Sequence, residues 1–347
     1  MPAIVDTSSA LLAFHARGPL SESLLRSLAG AEETAGAPEA ARRAVEESAD
    51  ITHDDDIQLA LFLLYACHYG SIDGISADCE WDTALIEARA VLEAAFESEL
   101  RARISLPEIP TPQARAVAKA LFDLTSADAG PSLSRYFAKR ATQEQAEEFL
   151  MQKSIYTLRE ADPHSWAIPR LRGGAKAALV EIQADEYGSG RPDRVHATIY
   201  AKTMRDAGLD DAYGRYVDVV PAITFASHNM MSMFGLNRRL VGAIVGHLAA
   251  FEMTSAIPNR LYGDGFRRLG YGEEVTDYFD EHVEADAVHE QIAGRDMAGA
   301  LAEDRPELLP DIMFGAVACL TVDGWMGEHM LTAWTEGRSS LREATAA

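Results

Sequence analysis

The chain has 347 residues, 48% of them hydrophobic, and a formal net charge of −23. That length allows one large domain or two, and that hydrophobic share is ample for a packed core. Lys and Arg are scattered rather than clustered, so the acidity excludes a nucleic-acid surface or a face for anionic membranes.

Residues 1 to about 50 are rich in Ala, Glu and Ser and read as one or two short helices, with a loose stretch at Gly36-Ala-Pro38. Asp54-Asp-Asp56 stands before a strongly apolar run, and acidic residues suit a helix N-terminus, so a helix starts there. A second helix is expected from about Glu80 to Arg103, with Leu85, Ala88, Leu92 and Phe96 at helical spacing. Pro107, Pro110 and Pro112 form a stiff linker, which divides an auxiliary helical region (1–110) from the main body (111–347). After Pro131, Thr142-Gln-Glu-Gln145 is a capping-box pattern that opens a helix running to about Glu160, and Pro163 ends or kinks it. Gly173-Gly174 precedes a helix from near Ala175, with Ala178, Leu179, Ile182 and Glu186 down one side. Gly188-Ser-Gly-Arg-Pro192 interrupts the chain, and helical pattern resumes from Asp193 to Gly208. Further helices are expected at roughly 222–248, 249–270, 273–300 and 308–335, with a frayed C-terminus. No stretch alternates with period two between hairpin turns, and there is no glycine-rich strand-to-helix turn of the dinucleotide type. The expected fold class is all-α.

Cys67, Cys79 and Cys319 are too few and too dispersed for a disulfide framework or a zinc cluster. Met1–Leu12 lacks the pattern of a secretory leader, and the longest apolar run, near Leu59–Cys67, is far short of a membrane span. A soluble cytoplasmic protein is the expectation.

The chemistry is concentrated in His282-Val-Glu-Ala-Asp286-Ala-Val-His289. In a helix, positions i, i+4 and i+7 lie within about 40° of each other, so two imidazoles and a carboxylate share one stripe. Followed backwards, that stripe runs through Phe279 and Val275, which are core-type residues. Buried without partners, three such polar groups would each cost several kcal/mol, and a metal ion removes that cost. The competing reading is a solvated stripe in an acid-rich chain. Partners from other segments weigh against it: Glu160, Glu186 at the end of an apolar stripe, and Asp193 with His196 three residues apart on one face. Carboxylate oxygens with imidazole nitrogens suit iron or manganese, and helical bundles host such two-metal sites. The paired Glu-x-x-His motifs of ferritin-like proteins are absent. His228, His247, Glu252, Glu328 and His329 are polar candidates left outside the ligand set.

Glu160-Ala-Asp-Pro-His-Ser-Trp166, Val180-Glu-Ile-Gln-Ala-Asp-Glu-Tyr-Gly-Ser-Gly-Arg-Pro192, His196 and His282-x3-Asp286-x2-His289 resemble the haem-oxygenase-like diiron oxidases and oxygenases. The resemblance spans roughly residues 130–330. It implies a haem-oxygenase-like helical bundle with additional N-terminal helices, two Fe(II) ions, O2 as cosubstrate and no haem. It further implies that Glu160, His196 and His289 hold one iron while Glu186, His282 and Asp286 hold the other. N-oxygenases of that family add a carboxylate three residues before the second-helix His. Here the position is Asp193, one methylene shorter than the Glu expected.

The implied chemistry is dioxygen activation at the His/carboxylate site to oxidise a small metabolite in natural-product biosynthesis, with electrons from an external donor. Asp193 tilts the reading toward N-oxygenation of an amine, amino acid or guanidine. The rivals are an oxidase that cleaves C–C bonds or desaturates an amino or fatty acid, and a non-catalytic helical binding protein with a degenerate site. Phe225, Met230, Met231, Met233 and Phe234 are expected near the substrate, and a homodimer is the expected assembly, with neither nucleic acid nor membrane as partner.

Overall fold

The computed structural model describes residues 14–126 and 132–343, apart from the side chains of 284–288. Met1–Leu12, Pro131 and Asp286, which figure in the sequence reading, lie outside the described residues. The fold is all-α, with no strand among the described residues. In chain order the helices are α1 (Pro19–Leu28), α2 (Ala37–Glu47), α3 (Asp55–Tyr69), α4 (Thr83–Arg103), α5 (Ala114–Thr125), α6 (Leu133–Arg140), α7 (Gln143–Thr157) and α8 (Asp162–Ser165). They continue with α9 (Gly173–Glu186), α10 (His196–Asp206), α11 (Ala222–Leu236), α12 (Val241–Arg268) and α13 (Glu273–Gln291). A π-helical segment (Ile292–Gly299), α14 (Ala300–Asp304) and α15 (Leu309–Thr335) complete the chain.

Two compact units result. The first comprises Met1–Arg103, Tyr213–Asn229 and Leu341–Ala347, and the second Ile104–Ala212 and Met230–Ser340. In the first unit α3 is buried on every side from Ile57 to Cys67, as expected of a helix apolar all round. Asp54 caps it by accepting from the Asp56 and Ile57 amides at 3.0 and 2.9 Å, and Gly70 closes it at φ 58°. The buried Arg17 guanidinium donates to the Val217 and Val220 carbonyls, both at 2.6 Å, and pairs with Asp55 at 2.8 Å. Burial pulls its pKa down to about 10, against the opposing charge of Asp55.

In the second unit the Thr142/Gln145 capping box forms as expected, with reciprocal bonds of 3.3 and 3.1 Å. Helix α7 stops at Thr157, however, so Glu160 sits in the turn beyond it rather than on the helix. The expected break near residue 248 falls instead at Asn237, whose backbone turns extended at φ −90° and ψ 109°. Arg170 explains the stop: its guanidinium donates to the Gly235 carbonyl and, at 2.7 Å, to that of Leu236, satisfying the open end of α11. Conversely, α12 continues through Pro258. It lies against α15 with little between the backbones. A Cβ added at Gly246 would run into the Ile312 carbonyl, and one at Gly315 into that of Ala243.

The segments Arg238–Arg268 and Pro306–Thr335 are long and apolar enough to cross a membrane by length and composition alone, contrary to the expectation that no such run exists. Most of each apolar window is buried inside the fold, so packing accounts for its apolarity.

Candidate metal centre

Helix α9 places Glu186 as its last residue, in line with buried Ala175, Ala178, Leu179 and Ile182. The chain then reverses through Gly188, Ser189 and Gly190, all at positive φ. Gly188 is required there, because a Cβ would lie 2.7 Å from the Arg194 backbone. The reversal starts α10 at His196 and returns its Nδ1 to 2.9 Å from Glu186 Oε2. Glu160 is aimed from a second tight turn, in which Ala161 takes φ 72°. Gln183 Nε2 donates to the Ala161 carbonyl at 2.9 Å, and the Ala161 amide reaches Tyr156 Oη at 3.4 Å, so neighbours hold this strained residue in place.

Helix α13 supplies His282 and His289, seven residues apart and both buried. His282 Nδ1 lies 2.8 Å from the Tyr278 carbonyl, one turn back, to which it can only donate. That fixes the tautomer and leaves the Nε2 lone pair toward Glu160 Oε1, 3.4 Å away. The Tyr278 hydroxyl also spans both Glu160 oxygens at 2.8 and 2.9 Å. His289 stands between Glu252 and Asp185, each 3.2 Å from one ring nitrogen, and 3.9 Å from Glu186 Oε1.

Among the described residues, two groups of buried ligand atoms result: Glu160, Glu186, His196 and His282, and Glu186, Glu252 and His289, with the atoms of each group within 4.8 Å of one another. Glu186 belongs to both, turning Oε2 to His196 and Oε1 to His289. The donors are carboxylate oxygens and imidazole nitrogens, a set suited to iron. His196 Nδ1 is buried beside Glu186 Oε2 at 2.9 Å, within reach of the same point as the Glu160 and His282 ligand atoms. A ligand atom converging on a shared point behaves this way, so the residues fit metal.

Electrostatics agree. Burial alone would raise the Glu186 carboxyl, but contact with His196 and the charges of His282 and His289 outweigh it and hold the group below its ordinary range. Burial opposes charge on His289 too, yet Glu252, Asp185 and Glu186 lift it to about 9.

Five of the seven ligands expected from sequence are brought together: Glu160, Glu186, His196, His282 and His289. Their grouping differs from the expected one, since His289 joins Glu186 and Glu252 rather than Glu160 and His196. Asp193 is not brought in. It lies exposed on the 3-10 turn Pro192–Arg194, and extended Val195 separates that turn from the helix of His196, so the two share no helical face. Glu252, set aside in the sequence reading, is part of the cluster. A carboxylate within α12, one of the most apolar helices, was its signal. The expected pocket residues Met230, Met231, Met233 and Phe234 are fully buried core, whereas the cavity at the cluster is lined by others, among them Tyr156, His164, Gln183 and Phe251.

Tyr278→Phe removes the hydroxyl on Glu160 and leaves the backbone contact to His282 intact. Metal affinity is expected to fall about 10-fold to 100-fold, read by competition with a chelator, and the metal-free chain should melt lower, because the buried Glu160 carboxylate loses its contact with that hydroxyl.

A second pH-sensitive element lies beside the cluster. His164 Nε2 and His247 Nδ1 are 3.2 Å apart and fully enclosed. Burial pushes His247 down to about 3, and burial with the charge of His247 holds His164 well below its ordinary range. The unfolded chain protonates both near pH 6.5, so the stability from keeping them neutral is complete above that pH and is lost as pH falls toward 3. At about pH 4 the loss from His247 is roughly 3 kcal/mol. His247→Leu should flatten this acid limb in denaturant titrations between pH 7 and 4, and an unchanged limb would assign it elsewhere.

The family model described as iron-containing redox enzyme matches residues 147–324. A nitrosourea synthase of Streptomyces achromogenes subsp. streptozoticus is 28% identical over 172 residues, covering 49% of this chain and 36% of that protein. The chain therefore spans about a third of the length of this curated relative. Among solved structures, a CADD-like protein of unknown function from Nostoc punctiforme is similar at a TM-score of 0.49 and 18% identity, covering 63% of this chain and 97% of that one.

Proposed function

Given that the chain belongs to the iron-containing redox enzyme family, we propose that it is a non-haem diiron oxygenase that N-oxygenates an amine or amino acid in a biosynthetic pathway. The observation that supports this best is the sharing of Glu186 between two buried ligand groups, the arrangement a pair of ions needs. Glu160, Glu186, His196 and His282 would hold one ion, and Glu186, Glu252 and His289 the other. Ferrous ions bound there would supply electrons to dioxygen, and an external donor would restore them.

The protein's own groups prepare the site. Tyr278 holds Glu160 through its hydroxyl and His282 through its carbonyl, so one residue orients ligands from two elements. Glu252 and Asp185 fix the His289 ring from both sides. Burial of the carboxylates and imidazoles keeps bulk water from their lone pairs. The similarity to a nitrosourea synthase favours nitrogen over carbon as the oxidised atom.

The test is anaerobic iron loading followed by labelled dioxygen and an amine panel. Iron should bind at two per chain, dioxygen should be consumed, and label should appear on a substrate nitrogen. Cleaved or desaturated products without label would instead establish an oxidase, and iron at trace levels would leave a non-catalytic helical protein.

A further inference from the structure

We infer that Asp185 is the positioning residue of the second ligand group: it holds the Nε2–H of His289 and thereby leaves Nδ1 for the metal. This rests on the two-ion reading above and names what orients one of its ligands.

The two nitrogens of His289 point away from each other across the ring, so one ion can take only one of them. On the Nδ1 side stand both carboxylates of the group, Glu252 Oε2 at 3.2 Å and Glu186 Oε1 at 3.9 Å. On the Nε2 side stands Asp185 Oδ2, also at 3.2 Å. An ion drawn to Glu186 and Glu252 therefore meets Nδ1. The neutral imidazole keeps one proton, and that proton is then on Nε2, where a carboxylate oxygen is placed to accept it. His282, on the same helix, is arranged the other way round. The Tyr278 carbonyl takes its Nδ1–H, and Nε2 is left toward Glu160.

Asp185 and Glu186 are neighbours at the end of α9, yet their surroundings differ. Glu186 is buried, whereas the Asp185 side chain is half exposed and lines an open recess with Ser189 and His196. At such a rim a carboxylate keeps water on its outer face, so it accepts from His289 without the full cost of burying a charge. Its other oxygen is also held: Ser189 Oγ donates to Asp185 Oδ1 at 2.9 Å. Ser189 stands at φ 49°, a conformation that costs a residue with a side chain and calls for a cause. Anchoring Asp185 is such a cause. The order Ser189, Asp185, His289, metal is one in which an outer carboxylate orients a histidine ligand and fixes its tautomer.

The test uses the full chain, with nitrogen-15 in its histidines, loaded with zinc, which is redox-inert. Long-range proton–nitrogen spectra should show His289 with zinc on Nδ1 and hydrogen on Nε2, the signal being assigned by its loss in His289→Gln. Affinity for the second zinc is read by competition with a chelator. Asp185→Ala should lower it by about 10-fold to 100-fold. Asp185→Asn, whose Oδ1 still accepts an N–H, should stay within about threefold of the parent. Zinc on Nε2, unchanged affinity in Asp185→Ala, or equal losses in the alanine and asparagine variants would overturn the inference. The spectrum of the unsubstituted chain decides even where a variant fails to fold. Dioxygen uptake by the iron-loaded chain is measured separately. Uptake with zinc on Nε2 removes this inference alone, zinc on Nδ1 without uptake removes the oxygenase reading alone, and a chain that takes no second zinc removes both.

Discussion

On the diiron reading, Glu186→Ala is expected to abolish binding of a second iron and cut turnover by at least about 100-fold, the largest loss among the grouped residues. The reason is its double membership. Each of the other grouped residues serves one set of ligand atoms, whereas Glu186 offers one oxygen to each. Removing it takes a carboxylate from both sets and leaves His196 and His289 without the charge that offsets their burial. Glu186→Gln is the sharper variant, because it keeps the shape and removes the charge. Iron stoichiometry after anaerobic loading, with the rate of dioxygen uptake, gives the result directly. Asp193→Ala is the matched control: its side chain is exposed and outside both groups, so uptake should change by less than about twofold. Equal losses at 186 and 193 would mean that the ligand distribution is wrong.

The contrast between those two positions shows what the sequence could convey. Glu186 was legible because it closes an apolar stripe, and a helix period is a local rule that the fold obeyed. His282 and His289 were legible for the same reason. Asp193 was misplaced by that very rule: spacing of three implies a shared face only if the helix is continuous, and Pro192 with extended Val195 starts it at His196 instead. Glu160 has no helical face at all, since it is positioned by a turn whose geometry depends on Gln183 and Tyr156, over twenty residues away in one case. Helix ends failed similarly. The α11 stop depends on Arg170, distant in sequence, while Pro258 left α12 unbroken. Glu252, Gln183 and Tyr278 reach the cluster only through tertiary packing, which single-residue patterns do not encode. The all-α class and the starts of α3, α7 and α9 needed only caps and periodicity.

Gly246→Ala should destabilise the second unit by about 3 kcal/mol, although alanine is the better helix former by about 1 kcal/mol. The sign is decided by what the new methyl meets. At Gly246 it is the Ile312 carbonyl, a backbone atom that cannot swing aside, so α12 and α15 must separate along their length. Gly324, also on α15, has nothing within 4 Å of its built Cβ and is exposed. Gly324→Ala should therefore stabilise, by up to about 1 kcal/mol. Opposite signs for the same chemical change in one helix pair, read from denaturant midpoints, would tie stability to the close backbone approach. The consequence reaches the metal centre, because α12 carries Glu252 to within 3.2 Å of His289. On the diiron reading, a Gly246→Ala chain that still folds at low temperature should hold a second iron more weakly than the parent. Full iron affinity in that variant would show that α12 can shift without moving Glu252, and would separate the packing of the helix pair from the geometry of the site.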